Sequence, residues 1–218
     1  AQTLTVLPRL GPEAKGEVVR FLYESGMLAA ESPVIDLRGA DLSHADINGL
    51  VMPAISLRGA NLQRANLSKP EIGRSDLRNA DLGSADLREV KLTESYLRGA
   101  VLTKAILTDA DLDDAVLTKA NLVGASLRYA VLTDANLTSA DLTDADLSSA
   151  LMAGAKMSSA NLTRAKLDGA DISLSNLGKA VMNDASLVGS NLSGANLTGA
   201  HLVAAHFETA QLTGAVLS

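Results

Sequence analysis

The chain has 218 residues, with 25 acidic against 19 basic side chains, a net charge of −6, and neither Cys nor Trp. Disulfides and thiolate metal sites are therefore excluded, and the basic stripes interleaved with aromatic rings that mark direct nucleic-acid binding are missing. No stretch of the chain is apolar for the length a membrane-spanning helix needs, and no signal peptide is visible.

Residues 1–11 read as an irregular lead-in containing Pro8 and Gly11. A short helix is expected next. Pro12 suits its first position, Glu13 and Glu17 favour its positive end, and Gly26 suits its termination. Ala14, Val18, Phe21 and Leu22 share one apolar face of that helix. Residues 1–34 are thus expected to form a lead-in and a helix that plugs the first coil of a repeat array over 35–218. An uncovered terminal coil would expose unpaired backbone and leucines. A partner-binding or dimerising helix is the alternative.

From Leu37 to Leu217 every fifth residue is Leu, Ile, Met or Phe, and 29 of these 37 positions are Leu. A second set two residues earlier (Ala40, Ala45, Ala60 and onward) is Ala at 28 of 37 positions. On an α-helix a step of five residues rotates about 140° beyond a full turn, so the leucines would spiral around the axis. On a flat strand an odd step flips each successive Leu to the other face. Ala40-Asp41-Leu42 reads instead as a three-residue β-like segment, small-in, polar-out, large-in. If the chain turns a corner at Ser43 and His44, Ala45 points inward again. Repetition winds the chain into a solenoid with Leu and Ala along its axis.

The number of corners per coil follows from longer repeats. Leu37-Arg38-Gly39-Ala40 returns at 57, 77 and 97, with Asn79 for Gly, and twenty residues make four corners. Val-Leu-Thr-Lys-Ala at 101 and 116 is offset by 15, which suits three sides. The four-sided reading is preferred.

Units such as Ala60-Asn61-Leu62-Gln63-Arg64 and Ala140-Asp141-Leu142-Thr143-Asp144 resemble the A(D/N)LXX grammar of the pentapeptide-repeat family. The resemblance implies an all-β fold, a right-handed quadrilateral β-helix of about nine coils, here with the short N-terminal α-helical cap. Val19 to Gly26 is similar to a segment that follows hydrophobic spans in some membrane-associated bacterial members. That likeness implies membrane association of the full-length protein through a segment missing from this chain; the repeat array itself is expected to be cytoplasmic. The chain begins at Ala1 and stops inside a repeat after Leu217, so it is read as a fragment. Its last repeats are expected to be sticky and to stack end to end on another copy.

Three surface features stand out. Arg38, Arg58, Arg78 and Arg98 form one column, with Asp36 and Asp76 two residues away as counter-charges. It is either a solvated, partly neutralised ladder or an anion- or partner-binding stripe. Glu94, Asp114 and Asp134 form an acidic column with Asp109, Asp111 and Asp113 beside it. Apolar residues occupy outward positions: Tyr96 above Val116, Val131 above Leu151, and Val101 and Ile106 around the next corners. Such residues also simply suit strands, but clustered they mark a protein interface.

No catalytic, cofactor or metal site is expected. His201 and His206 have no acid pair at ligand spacing, no Ser or Thr has a His partner, and no Gly-rich phosphate loop is present. The leading expectation is a non-enzymatic protein-interaction or scaffold module with an unidentified protein partner. The alternative, implied by the family resemblance, is a DNA-mimicking inhibitor or protector of gyrase.

Overall fold

A computed structural model describes residues 2–3, 6–28 and 35–217. From Leu37 onward it is a β-solenoid built from one five-residue unit. The residue before each Leu lies on an outer wall, the Leu points inward, two residues turn, and the next Ala points inward again. At the turn the N–H of Ala45 donates to the carbonyl of Leu42 at 3.0 Å. The second turn residue is left-handed at every corner from Gly39 to Gly214, including His44 (φ 58°), Lys119 (φ 59°) and Leu174 (φ 56°). For residues other than Gly that conformation costs roughly 1–2 kcal/mol.

Asp or Asn on the wall offsets part of this cost. The N–H of Ser43 donates to Asp41 Oδ1 at 3.0 Å, that of Ser148 to Asp146 Oδ1 at 3.0 Å, and that of Thr163 to Asn161 Oδ1 at 3.1 Å. The side chain thereby holds the turn donor two residues on. This is a physical reason for the D/N position in the repeat.

Each described bridge outside the two named strands joins a residue to the one twenty positions on, in parallel. None follows the fifteen-residue offset. Four ladders result, starting at Asp41, Asp46, Val51 and Ser56. Each unit donates between coils more than once. Leu42 N–H reaches the Asn61 carbonyl at 2.8 Å, Asn61 N–H the Ala40 carbonyl at 2.9 Å, and the turn N–H of His44 the Gln63 carbonyl at 2.9 Å. The walls are too short for long strands, so pairing appears as isolated bridges stacked in columns.

The axis is filled. Every fifth residue from Leu37 to Leu197 is at most 2% exposed, and each buried Leu contributes roughly 1.5–3 kcal/mol. Ser replaces Ala at four buried inward positions, and all four hydroxyls find partners. Ser75 Oγ accepts the N–H of Ile55 at 3.0 Å, and Ser95 Oγ accepts that of Ser75 at 3.1 Å. Ser175 and Ser190 donate to the carbonyls of Ile172 and Leu187, each at 2.7 Å.

At the N-terminus, strand β1 (Gln2–Thr3) pairs in parallel with β2 (Ile35–Asp36), and helix α1 spans Pro12–Glu24. Pro12 opens the helix and Gly26 follows it with φ 73°, as the sequence signals require. The buried face differs from the expected one. Lys15, Gly16, Val19 and Leu22 are buried, whereas Ala14 is exposed, Val18 half-buried and Phe21 62% exposed. The first coil's orphaned backbone explains the rotation. Lys15 Nζ donates to the Ser43 carbonyl at 2.7 Å, and the N–H of Asp46 donates to the Pro12 carbonyl at 3.0 Å. Gly16 sits so close that a methyl group there would overlap the Asp46 carbonyl. The helix turns toward the coil the groups that satisfy it. At the other end Leu202 and Phe207 are half-buried, while Leu212 and Leu217 are exposed.

Candidate interaction surface

The four arginines stack at one corner but differ in their partners. Arg38 Nε meets Asp36 Oδ2 at 2.7 Å, and Arg78 Nη2 meets Asp76 Oδ2 at 2.6 Å. The side-chain bond from arginine holds each of these carboxyls below its ordinary range. Arg58 and Arg98 have Ser56 and Tyr96 in the matching places and no ion pair among the described residues. The column is a half-neutralised, solvated ladder, and exposed pairs of this kind contribute little, about 0–1 kcal/mol each.

The acidic and apolar features meet on a single edge. Tyr96 and Val116 are bridged in the Ser56 ladder, and Val131 and Leu151 in the Val51 ladder. Between these ladders runs the corner carrying Glu94, Asp114 and Asp134 at φ 56°, 54° and 54°. Glu94 lies 3.6 Å from Arg74. Asp113 is pushed above the ordinary carboxylate range, first by burial and then by its neighbours Asp114, Asp111, Asp134 and Glu94. Arg74, Glu94, Tyr96, Asp114 and Val116 line a shallow recess of about 560 Å³. Val101 and Ile106 belong to the Asp41 and Asp46 ladders, so the structure does not bring them to this edge. Asp109 occupies the corner before the Val51 ladder, again apart from the acidic column.

Sequence reading overlooked three residues. Val51 opens the ladder of Val131 and Leu151, separated from them by Glu71, Lys91 and Asp111, and is exposed. Leu174, next but one to Asp134 in the corner column, is 73% exposed. Lys15 was hidden by its charge, which suggests solvent although its partner is a backbone carbonyl. Their common signal was a lapse from the repeat's polar outward grammar or, for Lys15, a position beside Gly16.

Among the described residues no group of three or more His, Cys, Asp or Glu is placed to hold a metal ion, and no helix is long and apolar enough to cross a membrane. His206 Nδ1 lies 3.4 Å from Glu208 on an exposed wall. The buried serines hydrogen-bond to backbone in the core rather than to a histidine.

The sequence pattern described as pentapeptide repeats matches residues 35–69, 80–118, 105–144, 115–154, 140–178 and 180–218. Among solved structures, the chain is similar to HetL, a pentapeptide repeat protein involved in heterocyst differentiation regulation in the cyanobacterium Nostoc sp. strain PCC 7120. The two are 32% identical over 93% of this chain and 96% of HetL, with a TM-score of 0.59. Full-length QnrB1, a plasmid-mediated fluoroquinolone resistance protein, is 20% identical over 77% of this chain and 93% of its own, with a TM-score of 0.56. A trypsin-treated form of QnrB1 gives a TM-score of 0.61 at 20% identity, over 78% of this chain and 88% of its own. No curated protein sequence matches. The repeat pattern over most of the chain, the coil it builds and the likeness to HetL together make this chain a member of the pentapeptide-repeat family.

Proposed function

We propose that the chain is a non-enzymatic protein-interaction or scaffold module. In this reading residues 35–218 form a right-handed, four-sided solenoid of about nine coils, and residues 1–34 form its lead-in and cap. The observation that carries the proposal is the filled axis. With every fifth residue from Leu37 to Leu197 at most 2% exposed, the interior formed by the described residues is filled, and the outer surfaces are what remain to act. Exposed apolar residues gathered beside uncompensated acids suit contact with another protein. HetL's involvement in regulating differentiation fits a part played through binding.

A duplex-like acidic flank directed at a type II topoisomerase is the competing reading. Ion pairing weighs against it, since Asp36, Asp76, Asp86 and Asp144 are each tied to an arginine. Duplex DNA carries one charge per ~1.7 Å of axis, and a net charge of −6 over the whole chain is thin beside that.

The test compares proteins captured by the wild-type chain with those captured by a Tyr96→Ser, Val116→Ser, Val131→Ser variant. The expected result is an unchanged melting curve and loss of the captured set. An unchanged set overturns the role given to this edge. A gyrase supercoiling assay with micromolar protein decides the competitor: no effect removes it, and inhibition or protection puts it first. The reading extends to the last coil, where exposed Leu212, Val216 and Leu217 stack two copies end to end. Light scattering that stays strictly monomeric at millimolar protein rules that contact out.

A further inference from the structure

Unpaired charge is sorted by sign around the coil. Between residues 56 and 135, Lys69, Arg74, Arg78, Arg88, Lys91 and Arg128 are each tied to a carboxylate. The other cations of this stretch, Arg58, Arg64, Arg98, Lys104 and Lys119, are exposed and have no ion pair among the described residues. All of them stand at the two corners that bound the Asp41 ladder. Arg58, Arg98 and Lys119 come before it, and Arg64 and Lys104 after it.

The acids show the converse. Asp109, Asp111, Asp113, Asp114 and Asp134 have no ion pair among the described residues, and they lie on the Val51 ladder or at the corners on either side of it. The exception is Asp81 on the Asp41 ladder, which accepts from Gly83 N–H at 3.0 Å and from Gln63 Nε2 at 2.6 Å. Two corners separate the Asp41 and Val51 ladders in either direction round the coil, so in the four-sided solenoid proposed above they face opposite ways. They also match in height. Arg98, Lys104 and Lys119 share the two coils of residues 96–135 with all five unpaired acids. Crowding of like charge carries a cost on the acidic side, where neighbouring carboxylates add to burial in pushing Asp113 above its ordinary range.

We propose that the chain associates side by side with a second copy, the Arg98–Lys119 side of one rod against the Asp109–Asp134 side of the next. This goes beyond the interaction edge and the end-to-end contact described above. A copy displaced sideways, without tilt or shift along the axis, sets the free cations of one chain opposite the free acids of the other and relieves both crowded walls. Because the two surfaces differ, the contact is heterologous: each added copy leaves one wall open, and rows of rods result. The net charge of −6 opposes any contact between copies. Removing salt therefore drives a uniformly charged chain apart, but it draws the sorted walls together, because screening reaches about 10 Å at 0.1 M and about 30 Å at 0.01 M salt.

Sedimentation and small-angle X-ray scattering of the full chain at about 10 mM and about 300 mM NaCl read the strength and the shape of the association. It is expected to be at least about tenfold weaker at the higher salt, with particles that thicken rather than lengthen. Stacking through Leu212 and Leu217 lengthens them instead and is not weakened by salt. Lys104→Glu with Lys119→Glu, and separately Asp114→Lys with Asp134→Lys, should each leave the chain monomeric at low salt. Mixing these two variants in equal amounts should restore association, because the acidic wall of the first again meets the basic wall of the second. Lys156→Glu with Lys166→Glu makes the same change in net charge on the other two ladders and should weaken association less than about threefold. All these side chains are exposed, and matching melting curves verify the fold of each variant. A strict monomer at low salt, association unmoved by salt, growth in length alone, or variants that fail to complement each other overturns the proposal. The capture comparison leaves every one of these charges in place, so the edge of Tyr96, Val116 and Val131 stands or falls separately.

Discussion

Replacing Ser75 by Ala removes one oxygen from the interior and strands a backbone donor. Ser75 is fully buried, and its Oγ takes the N–H of Ile55 at 3.0 Å, in place of the turn bond made at alanine corners such as Ala60 N–H to Leu57 at 3.0 Å. Water has no path to that donor, because Ile55 is itself buried. An unsatisfied buried N–H costs about 1–3 kcal/mol. Ser190→Ala deletes the same oxygen from another buried corner and strands nothing. There the N–H of Ser190 already donates to the Leu187 carbonyl at 3.1 Å, and the hydroxyl only adds a second donor to that oxygen. Ser190→Ala is therefore expected to cost no more than about 0.5–1 kcal/mol. Urea unfolding followed by circular dichroism measures both, and each kcal/mol corresponds to about 2–4 °C in melting temperature for a chain of this size. If the two variants lose the same stability, the Ile55 turn has closed onto the Met52 carbonyl, and the hydroxyl is not what holds that corner.

Other outcomes follow from the same geometry. Gly16→Ala drives a methyl group into the Asp46 carbonyl, so α1 should lift from the first coil at a cost of about 1–3 kcal/mol; hydrogen exchange as slow as the parent's over residues 12–24 would contradict this. Lys119→Gly relieves a left-handed lysine with φ 59° and should stabilise by about 0.5–1 kcal/mol after the entropy of glycine is counted, as read from the urea midpoint. Asp113, whose folded pKa is raised, destabilises the fold when ionised, and the penalty disappears as pH falls through that folded pKa. Asp113→Asn should therefore be more stable than the parent at neutral pH, with the difference closing on acidification; a gap that widens in acid refutes the assignment. Asp36, Asp76 and Asp86 act in the opposite sense. Their folded pKa values are lowered, so the stability they contribute is complete above the ordinary carboxylate range and is lost as pH falls through the lowered values.

The axis was legible because its code is redundant: Leu and Ala at fixed spacing leave no other way to bury both sets. The pairing of Arg38 with Asp36 and of Arg78 with Asp76 was also readable, since two residues apart on a short wall is contact distance. Sequence failed where a local signal competed with a need created by tertiary structure. Ala14, Val18 and Phe21 promise an apolar helix face, but the end coil required a donor and an acceptor, supplied by Lys15 and Pro12, and a close approach, which Gly16 allowed. The edge was half visible. Tyr96, Val116, Val131 and Leu151 were recognisable as lapses from a polar pattern, but which of the lapses adjoin depends on the coil length, which separates them from Val101 and Ile106. Leu174 was missed because a corner next to glycines reads as turn, and a hydrophobic residue in a turn carries no periodic signal.

Pairing at a fixed interval of twenty makes the columns a vernier for insertions and deletions. Excising twenty residues removes one storey and leaves every remaining face aligned with its neighbours. Excising five preserves each leucine's inward direction but turns everything downstream by one side, and a cut of that size between Asp134 and Leu174 would carry the two onto different faces. The fold tolerates many lengths; a surface drawn across several storeys survives only those that are whole numbers of turns.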